Sequence, residues 1–344
     1  MSLIKLSICI ATYKRGNYIG QTLDSLISQL RDGVEVVILD GASPDNTEEV
    51  VRGYADIYPA IRYIKASKNS GVDADYDLAI SYAQGEYCWL MTDDDLFSPD
   101  AVSTVFESLD GKKDLIVINT EIRDVSLSKI LISKNMDIKK DCEFDKVFDS
   151  QFVLRALNHL SFIGAVIIKK TRWLERDRAS YYGSLFIHIG VIFQNPILEK
   201  IKIIAKPLVT IRYGNAMWTA RSFEIWMFMW PKLIWSLPLK DISNIEEICP
   251  RRYHLSIKKI LEFRALGAYG INEYKKHYKN LRPGFKKIII KTAALIPIIA
   301  INAFAGAYCL LLNRRAKLAI YDFARTKDSN FFSKTASKIV NGCF

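Results

Sequence analysis

The chain has 344 residues, half of them hydrophobic, enough to bury one large domain with an appendage or two domains. Its formal net charge of +11 suits anionic partners. The six cysteines (Cys9, Cys88, Cys142, Cys249, Cys309, Cys343) are scattered without a Cys-x-x-Cys pair, which argues against a disulfide scaffold or a zinc site and for reduced thiols in a cytoplasmic protein.

Leu6 to Ala11 is an apolar run predicted as a buried strand, and it leads from the start of the chain without a signal-peptide cleavage pattern. After the polar, basic stretch Thr12 to Asn17, apolar residues at helical spacing (Ile19, Leu23, Leu26, Ile27, Leu30) predict a helix. Val34 to Leu39 reads as a second strand, ending at the polar turn Asp40 to Asn46, and a helix is expected from Thr47 to Tyr58. Ile61 to Lys65 is a third strand, Asn69-Ser70-Gly71 a turn, and Ala74 to Ala83 a helix. Glu86 to Met91 is a fourth strand, followed after three acids by a helix from Asp100 to Leu109 and a strand from Leu115 to Asn119. Phe162 to Ile168 and Ile201 to Ile211 are further expected strands.

Strict alternation of strand and helix predicts an α/β fold with a largely parallel sheet covered on both faces. Ligands of such sheets bind at the carboxyl ends of the strands. Three polar clusters fall there on separate strands: Thr12 to Arg15, Asp40 to Ser43, and Asp93 to Asp95. Unit charges 4 Å apart repel by about 4 kcal/mol at an effective dielectric near 20, so three acids ending a buried strand call for a cation. A set of oxygen ligands suits Mg²⁺ or Mn²⁺. A solvated acidic turn is the competing reading of the triplet alone; the coincidence of three clusters favours a nucleotide-sized pocket.

These residues resemble the family 2 glycosyltransferases. Ser7 to Arg15 is similar to that family's opening strand and loop, Asp40 to Thr47 to its Asp-x-x-Ser-x-Asp-x-Thr turn, and Asn69-Ser70-Gly71 to its Asn-x-Gly. Gly85-Glu86-Tyr87, then Thr92 to Asp95 with Pro99 beyond, resemble its Gly-Glu/Asp-Tyr and Asp-x-Asp segments. A weaker similarity, through Phe162-Ile163-Gly164, Lys169 to Trp173 and Ser180 to Gly183 with His188, reaches bacterial O-antigen enzymes of the abequosyltransferase type.

The resemblance implies a GT-A, Rossmann-like nucleotide-sugar domain over residues 1–220, and the change of composition beyond it predicts a helical, membrane-associating region over 221–344. It places Thr12 and Tyr13 near the base, Arg15 near base or phosphate, and Asp40 where a carboxylate accepts from a pyrimidine N–H. Asp73 is expected to reach base or ribose, or to cap the following helix. The resemblance implies a divalent cation on Asp95, with Asp93 or Asp94 at the ribose or a metal-bound water. Thr92 stands where an acid is common, which leaves the choice of metal-bound carboxylate open. No Glu-Asp pair marks a catalytic base. His188 is the candidate, against a core role, and Trp173 and Tyr182 are candidates for sugar stacking, against packing.

Phe223 to Leu239 is dense in Trp and Met, Arg251 to Lys287 is basic, and Thr292 to Leu312 carries no charge. The last would span about 31 Å as one helix, near the hydrocarbon thickness. Basic residues flank both of its ends, and helices lying in the membrane interface are preferred over a span.

The expected function is transfer of a sugar, of deoxy- or dideoxyhexose type, from a nucleotide-diphosphate donor to a polyprenyl-diphosphate-linked saccharide at the cytoplasmic face of a bacterial inner membrane. A nucleotidyltransferase and an inactive sugar-binding scaffold are the alternatives. No nucleic-acid partner is expected, since much of the basic excess adjoins apolar sequence.

Overall fold

The computed structural model describes residues 3–215, 221–239, 242 and 244–342. The expected domain boundary at residue 220 and Cys343 lie outside them. The chain separates into two compact units. The first comprises residues 1–122, 133–212 and 235–248; the second, 123–132, 213–234 and 249–344.

The strands are β1 (Leu6–Thr12), β2 (Val34–Asp40), β3 (Ile61–Lys65), β4 (Tyr87–Met91), β5 (Leu96–Phe97), β6 (Leu115–Arg123), β7 (Ile130–Ile132), β8 (Cys142–Lys146), β9 (Val166–Lys169) and β10 (Glu199–Arg212). Helices α1 (Ile19–Ile27), α2 (Thr47–Ala55), α3 (Val72–Tyr82), α4 (Ala101–Glu107), α5 (Ser150–Ala156), α6 (Lys170–Leu174) and α7 (Ile187–Ile192) intervene. The sheet order is β3-β2-β1-β4-β9-β6-β10-β5. β1 to β4 pair in parallel, and β9 runs antiparallel between β4 and β6. This is the largely parallel α/β sheet expected from the alternation.

β2 and β4 are buried at every position, and β1 at all but Ala11. Central strands covered on both faces are mostly apolar rather than alternating, and these three read that way apart from Ser7 and Glu35, which hydrogen-bond to each other (2.6 Å). Helix α1 buries Ile19, Leu23 and Leu26 from its apolar stripe. In the first register, Thr12 pairs with Asp40, so both strand ends open at one edge of the sheet.

Two expected elements differ. Phe162 to Ala165 is not strand: Ile163–Ala165 is a single 3₁₀ turn, and the strand begins at Val166. Thr292 to Leu312 is not one helix. Helix Phe285–Leu295 stops before Pro297, and helix Ile298–Leu312 restarts at a 103° bend. Pro297 lacks an N–H and disfavours helical geometry in Ile296, which is extended (φ −62°, ψ 137°).

In the second unit, Phe223, Met227, Phe263, Tyr269, Tyr278 and Ile290 form the centre of one apolar cluster. Ala265, Cys309, Ile320, Phe323 and Ala336 form another. Among the described residues no single helix is long and apolar enough to cross a membrane. Cys9, Cys88, Cys142, Cys249 and Cys309 are free thiols.

Candidate active site

The loop after β1 is laced to the turn after β2. Gly41 N–H donates to Thr12 O (2.9 Å), Lys14 N–H to Ser43 Oγ (2.9 Å) and Arg15 N–H to Thr47 Oγ1 (3.0 Å). Asp40, fully buried, accepts from Ser43 N–H (2.8 Å) and from the Tyr63 hydroxyl (2.6 Å). Tyr63 came from β3 without any sequence signal. Tyr13 is half-buried, with Lys14 Nζ 5.3 Å from its ring centre.

Arg15 reaches from this loop to the acids after β4. Its Nε lies 3.4 Å from Asp93 Oδ1 and its Nη2 3.3 Å from Asp94 Oδ2. Burial and the charge of Asp94 raise the pKa of Asp93, while Arg15 and the neighbouring Thr12 hydroxyl oppose the rise. Asp95 is deeper. It accepts from Thr92 Oγ1 and from Arg212 N–H (2.6 Å), and burial, followed by the charge of Asp94, raises its pKa well above the usual range. Thr92, the departure from the common acid, thus orients Asp95.

Arg212, at the end of β10, donates through Nε to Asp94 O (2.9 Å) and through Nη2 to Gln21. Arg212 and Arg15 both stack on Tyr18, at 5.3 and 5.6 Å from its ring centre. Sequence reasoning missed Arg212. The available signal was its place as a charged residue closing an apolar strand, the same signal that marked Asp40 and Asp93.

Asp93, Asp94 and Asp95 supply only oxygen donors, and burial raises the pKa of Asp93 and Asp95, so a bound cation would favour their ionised forms. That chemistry fits a divalent cation. Asp93 and Asp94 retain slight exposure and would be the reachable ligands of such a cation. Asp95 has both oxygens engaged within the protein, which argues against it as the principal ligand. Among the described residues no group of three His, Cys, Asp or Glu side chains is arranged as a ready metal cage.

Helix α3 carries a second acidic row. Gly71, at φ +90°, precedes it in a conformation that favours glycine, and Asn69 Oδ1 accepts from Gly71 N–H (2.8 Å). Asp73 neither caps this helix nor faces an open pocket. Its two oxygens accept from Leu185 N–H (2.8 Å) and Ile187 N–H (3.0 Å), and it is buried. Asp73 is therefore corrected from base or ribose contact to anchor of the segment entering α7.

Asp75, not singled out from the sequence, lies beside Asp40. Its Oδ1 is buried without a hydrogen-bond partner, and its Oδ2 sits where a Cβ on Gly41 would come within 2.7 Å. A side chain at 41 would have to displace that carboxylate. Burial, opposed by the Ser70 N–H and reinforced by the charge of Asp40, pushes Asp75 up to about 6.

Asp77 accepts from Trp173 Nε1 (2.8 Å) and from the Tyr182 hydroxyl, and pairs with Arg178 Nε (2.7 Å). Trp173 is fully buried and has no open ring face, which corrects the sugar-stacking reading. Tyr182 remains 46% exposed.

His188 on α7 is buried in the core. Its Nε2–H donates to Leu160 O (2.7 Å), its Nδ1 has no hydrogen-bond partner, and desolvation pushes its pKa down to about 4. The carbonyl fixes the Nε2–H tautomer. An acceptor hydroxyl has no path to Nδ1 here, so His188 is corrected from candidate base to a neutral core residue.

The sequence pattern that defines the glycosyl transferase family 2 matches residues 7–168. Over 224 residues, 61% of this chain and 67% of that protein, the chain is 30% identical to abequosyltransferase RfbV of Salmonella typhimurium. The chain belongs to glycosyl transferase family 2. Its fold is GT-A. It superposes on TarS of S. aureus, solved with UDP, at a TM-score of 0.57 and 17% identity, covering 99% of this chain and 92% of that one. The mannosyltransferase PcManGT of Pyrobaculum calidifontis, solved with GDP-Man and Mn²⁺, superposes at a TM-score of 0.50 and 15% identity, covering 93% and 86%. Family membership accounts for the matched strands β1 to β4, whose ends carry Thr12 to Arg15, Asp40 and Asp93 to Asp95.

Proposed function

We propose that this family 2 glycosyltransferase takes a nucleotide-diphosphate sugar of deoxy- or dideoxyhexose type and passes the sugar to a polyprenyl-diphosphate-linked saccharide of bacterial surface polysaccharide. The observation that carries the reading is the bridge from Arg15 to Asp93 and Asp94, beside the Asp40 turn. It gathers a cation and two carboxylates at one edge of the sheet, a spacing suited to a diphosphate with its base beyond. The similarity to an abequosyltransferase supports the sugar class.

In this reading Tyr13 lies at the base, Asp40 holds the turn beside it through Ser43 and Tyr63, and Arg15 pairs with the diphosphate as its charge grows on departure. Mg²⁺ or Mn²⁺, held by Asp93 and Asp94, would supply further neutralisation of that leaving group. Asp95 and Thr92 hold the acidic turn in place, and Arg212 fixes it to β10. Tyr182 is the remaining aromatic candidate at the sugar or acceptor.

The test is release of nucleoside diphosphate from a panel of nucleotide-sugars with a polyprenyl-linked acceptor, with chelator and with Mn²⁺ restored. Asp94→Asn should lower turnover at least about 100-fold while leaving thermal unfolding unchanged. Unchanged turnover in that variant overturns the site, and full activity in chelator overturns the cation.

A further inference from the structure

The bent helix pair Phe285–Leu295 and Ile298–Leu312 presents apolar side chains outward. Phe285, Ile288 and Leu295 lie on one stripe of the first helix, at i, i+3 and i+10, and all are exposed. Phe304, Tyr308 and Leu311 line the second at i, i+4 and i+7, with Phe304 at 70% and Leu311 at 74% exposure. A contiguous apolar face of this kind on a protein surface marks an interaction site.

Charge selects the occupant. From Tyr274 to Tyr321 the chain contains no Asp or Glu. Lys286 and Lys291 are exposed beside the first stripe, and Arg314, Arg315 and Lys317 follow the second. Apolar stripes flanked only by basic residues are complementary to an anionic lipid surface, whose acyl boundary takes the stripe while its headgroups take the cations.

The inward sides of both helices are held by protein. Asn302 Nδ2 donates to Ala265 O (3.1 Å) and Phe323 O (3.0 Å). At Gly306 a Cβ would approach Ser333 N to 2.6 Å, so that helix packs backbone to backbone. Tyr269 Oη donates to Ile290 O (2.9 Å), and Arg264 Nε to Ile296 O (2.8 Å) at the bend. The longer helix has 15 residues, or about 22 Å, short of the roughly 30 Å hydrocarbon core. A span would need the bend straightened and these bonds broken.

We infer that this bent pair is a monotopic docking surface that seats the second unit in one anionic leaflet, with Phe285, Ile288, Phe304 and Leu311 entering the acyl boundary. The inference goes beyond the proposed transfer reaction and does not rest on it, since vesicle binding is read without substrate.

The experiment is flotation of the full chain with phosphatidylcholine vesicles, with and without 30% phosphatidylglycerol (about a third anionic lipid, as in a charged leaflet). The chain should float with the anionic vesicles and be released by salt. The double variant Phe304→Asp/Leu311→Asp should bind at least about tenfold more weakly, with unchanged thermal unfolding. A conservative Phe304→Leu/Leu311→Ile control should bind as the parent does. Failure of the parent chain to float, or undiminished binding by the aspartate variant, overturns the inference. So does a parent dimer that the aspartate variant dissociates, which would make the face an interface between copies. The separate variants Lys286→Cys and Arg314→Cys should each gain a thiol that reacts with an impermeant reagent on vesicle-bound protein; protection of one alone overturns monotopic seating.

Discussion

At the residue scale, burial decides which titratable groups serve and which only pack. Asp75 is a carboxyl raised to about 6, and a raised acid destabilises the fold wherever it is ionised. The penalty is absent below the unfolded value near 3.9, grows as pH rises, and is complete above about 6. Asp75→Asn should therefore raise thermal stability at pH 7.5, by on the order of 2–3 kcal/mol, and change it little at pH 4. His188 has the opposite shift: its folded pKa is depressed to about 4, so the unfolded chain takes the proton first. Stability from its neutral state is present above about 6.5 and is lost as pH falls toward 4. The two groups oppose one another across the same window, so the measurement is the difference between parent and variant melting curves at each pH. A pH-independent difference for Asp75→Asn would show that its carboxyl is not perturbed.

At the element scale, α3 acts as a beam to which the α7 entry is tied. Asp73 holds two backbone N–H groups of residues 185 and 187, while Leu185 sits at φ +68°. A non-glycine residue there is uncommon and needs support from its surroundings. Asp73→Ala leaves one buried and one half-buried donor unpaired and should cost about 2–5 kcal/mol. Asp73→Asn should recover part of this, since one oxygen survives. Amide exchange of residues 185–187 should quicken in both, more in the alanine variant; unchanged exchange there would sink the anchoring role. The strands β1 to β4 and their polar ends were legible because a buried strand is a mostly apolar run that gives way to a polar cluster where it leaves the sheet, even though β2 and β3 carry Glu35 and Arg62 as an internal ion pair. The roles of Asp73, Asp77 and Trp173 were not, because the backbone N–H groups and hydroxyls they meet lie about a hundred residues away in the chain. The break at Pro297 was legible in principle. Proline does not continue a helix after an extended residue, and the preference for interfacial helices over a span agrees with a break there.

At the scale of the whole molecule, the charge-free stretch near the C-terminus is part of a protein core as well as a surface. Ile290, Ala293 and Ala294 complete the cluster around Phe223, Tyr269 and Tyr278. Cys309, Ile320, Phe323 and Ala336 build the neighbouring one. Truncation after Arg282 is thus no clean way to detach a membrane anchor. It removes the packing partners of the remaining aromatic residues and leaves Tyr269 Oη without Ile290 O. Each large side chain so uncovered costs about 1.5–3 kcal/mol, and several are uncovered together. The truncated chain should lose cooperative unfolding of its second unit, bind a hydrophobic dye and be cleaved rapidly between Phe223 and Tyr278. The surface variant Phe304→Asp/Leu311→Asp alters exposed positions only and should keep the parent melting curve. If the truncated chain instead melts as the parent does and resists protease, the helices after Arg282 are dispensable to the core. The clusters around Tyr269 and Ile320 would then be loose contacts rather than packing that holds the unit together.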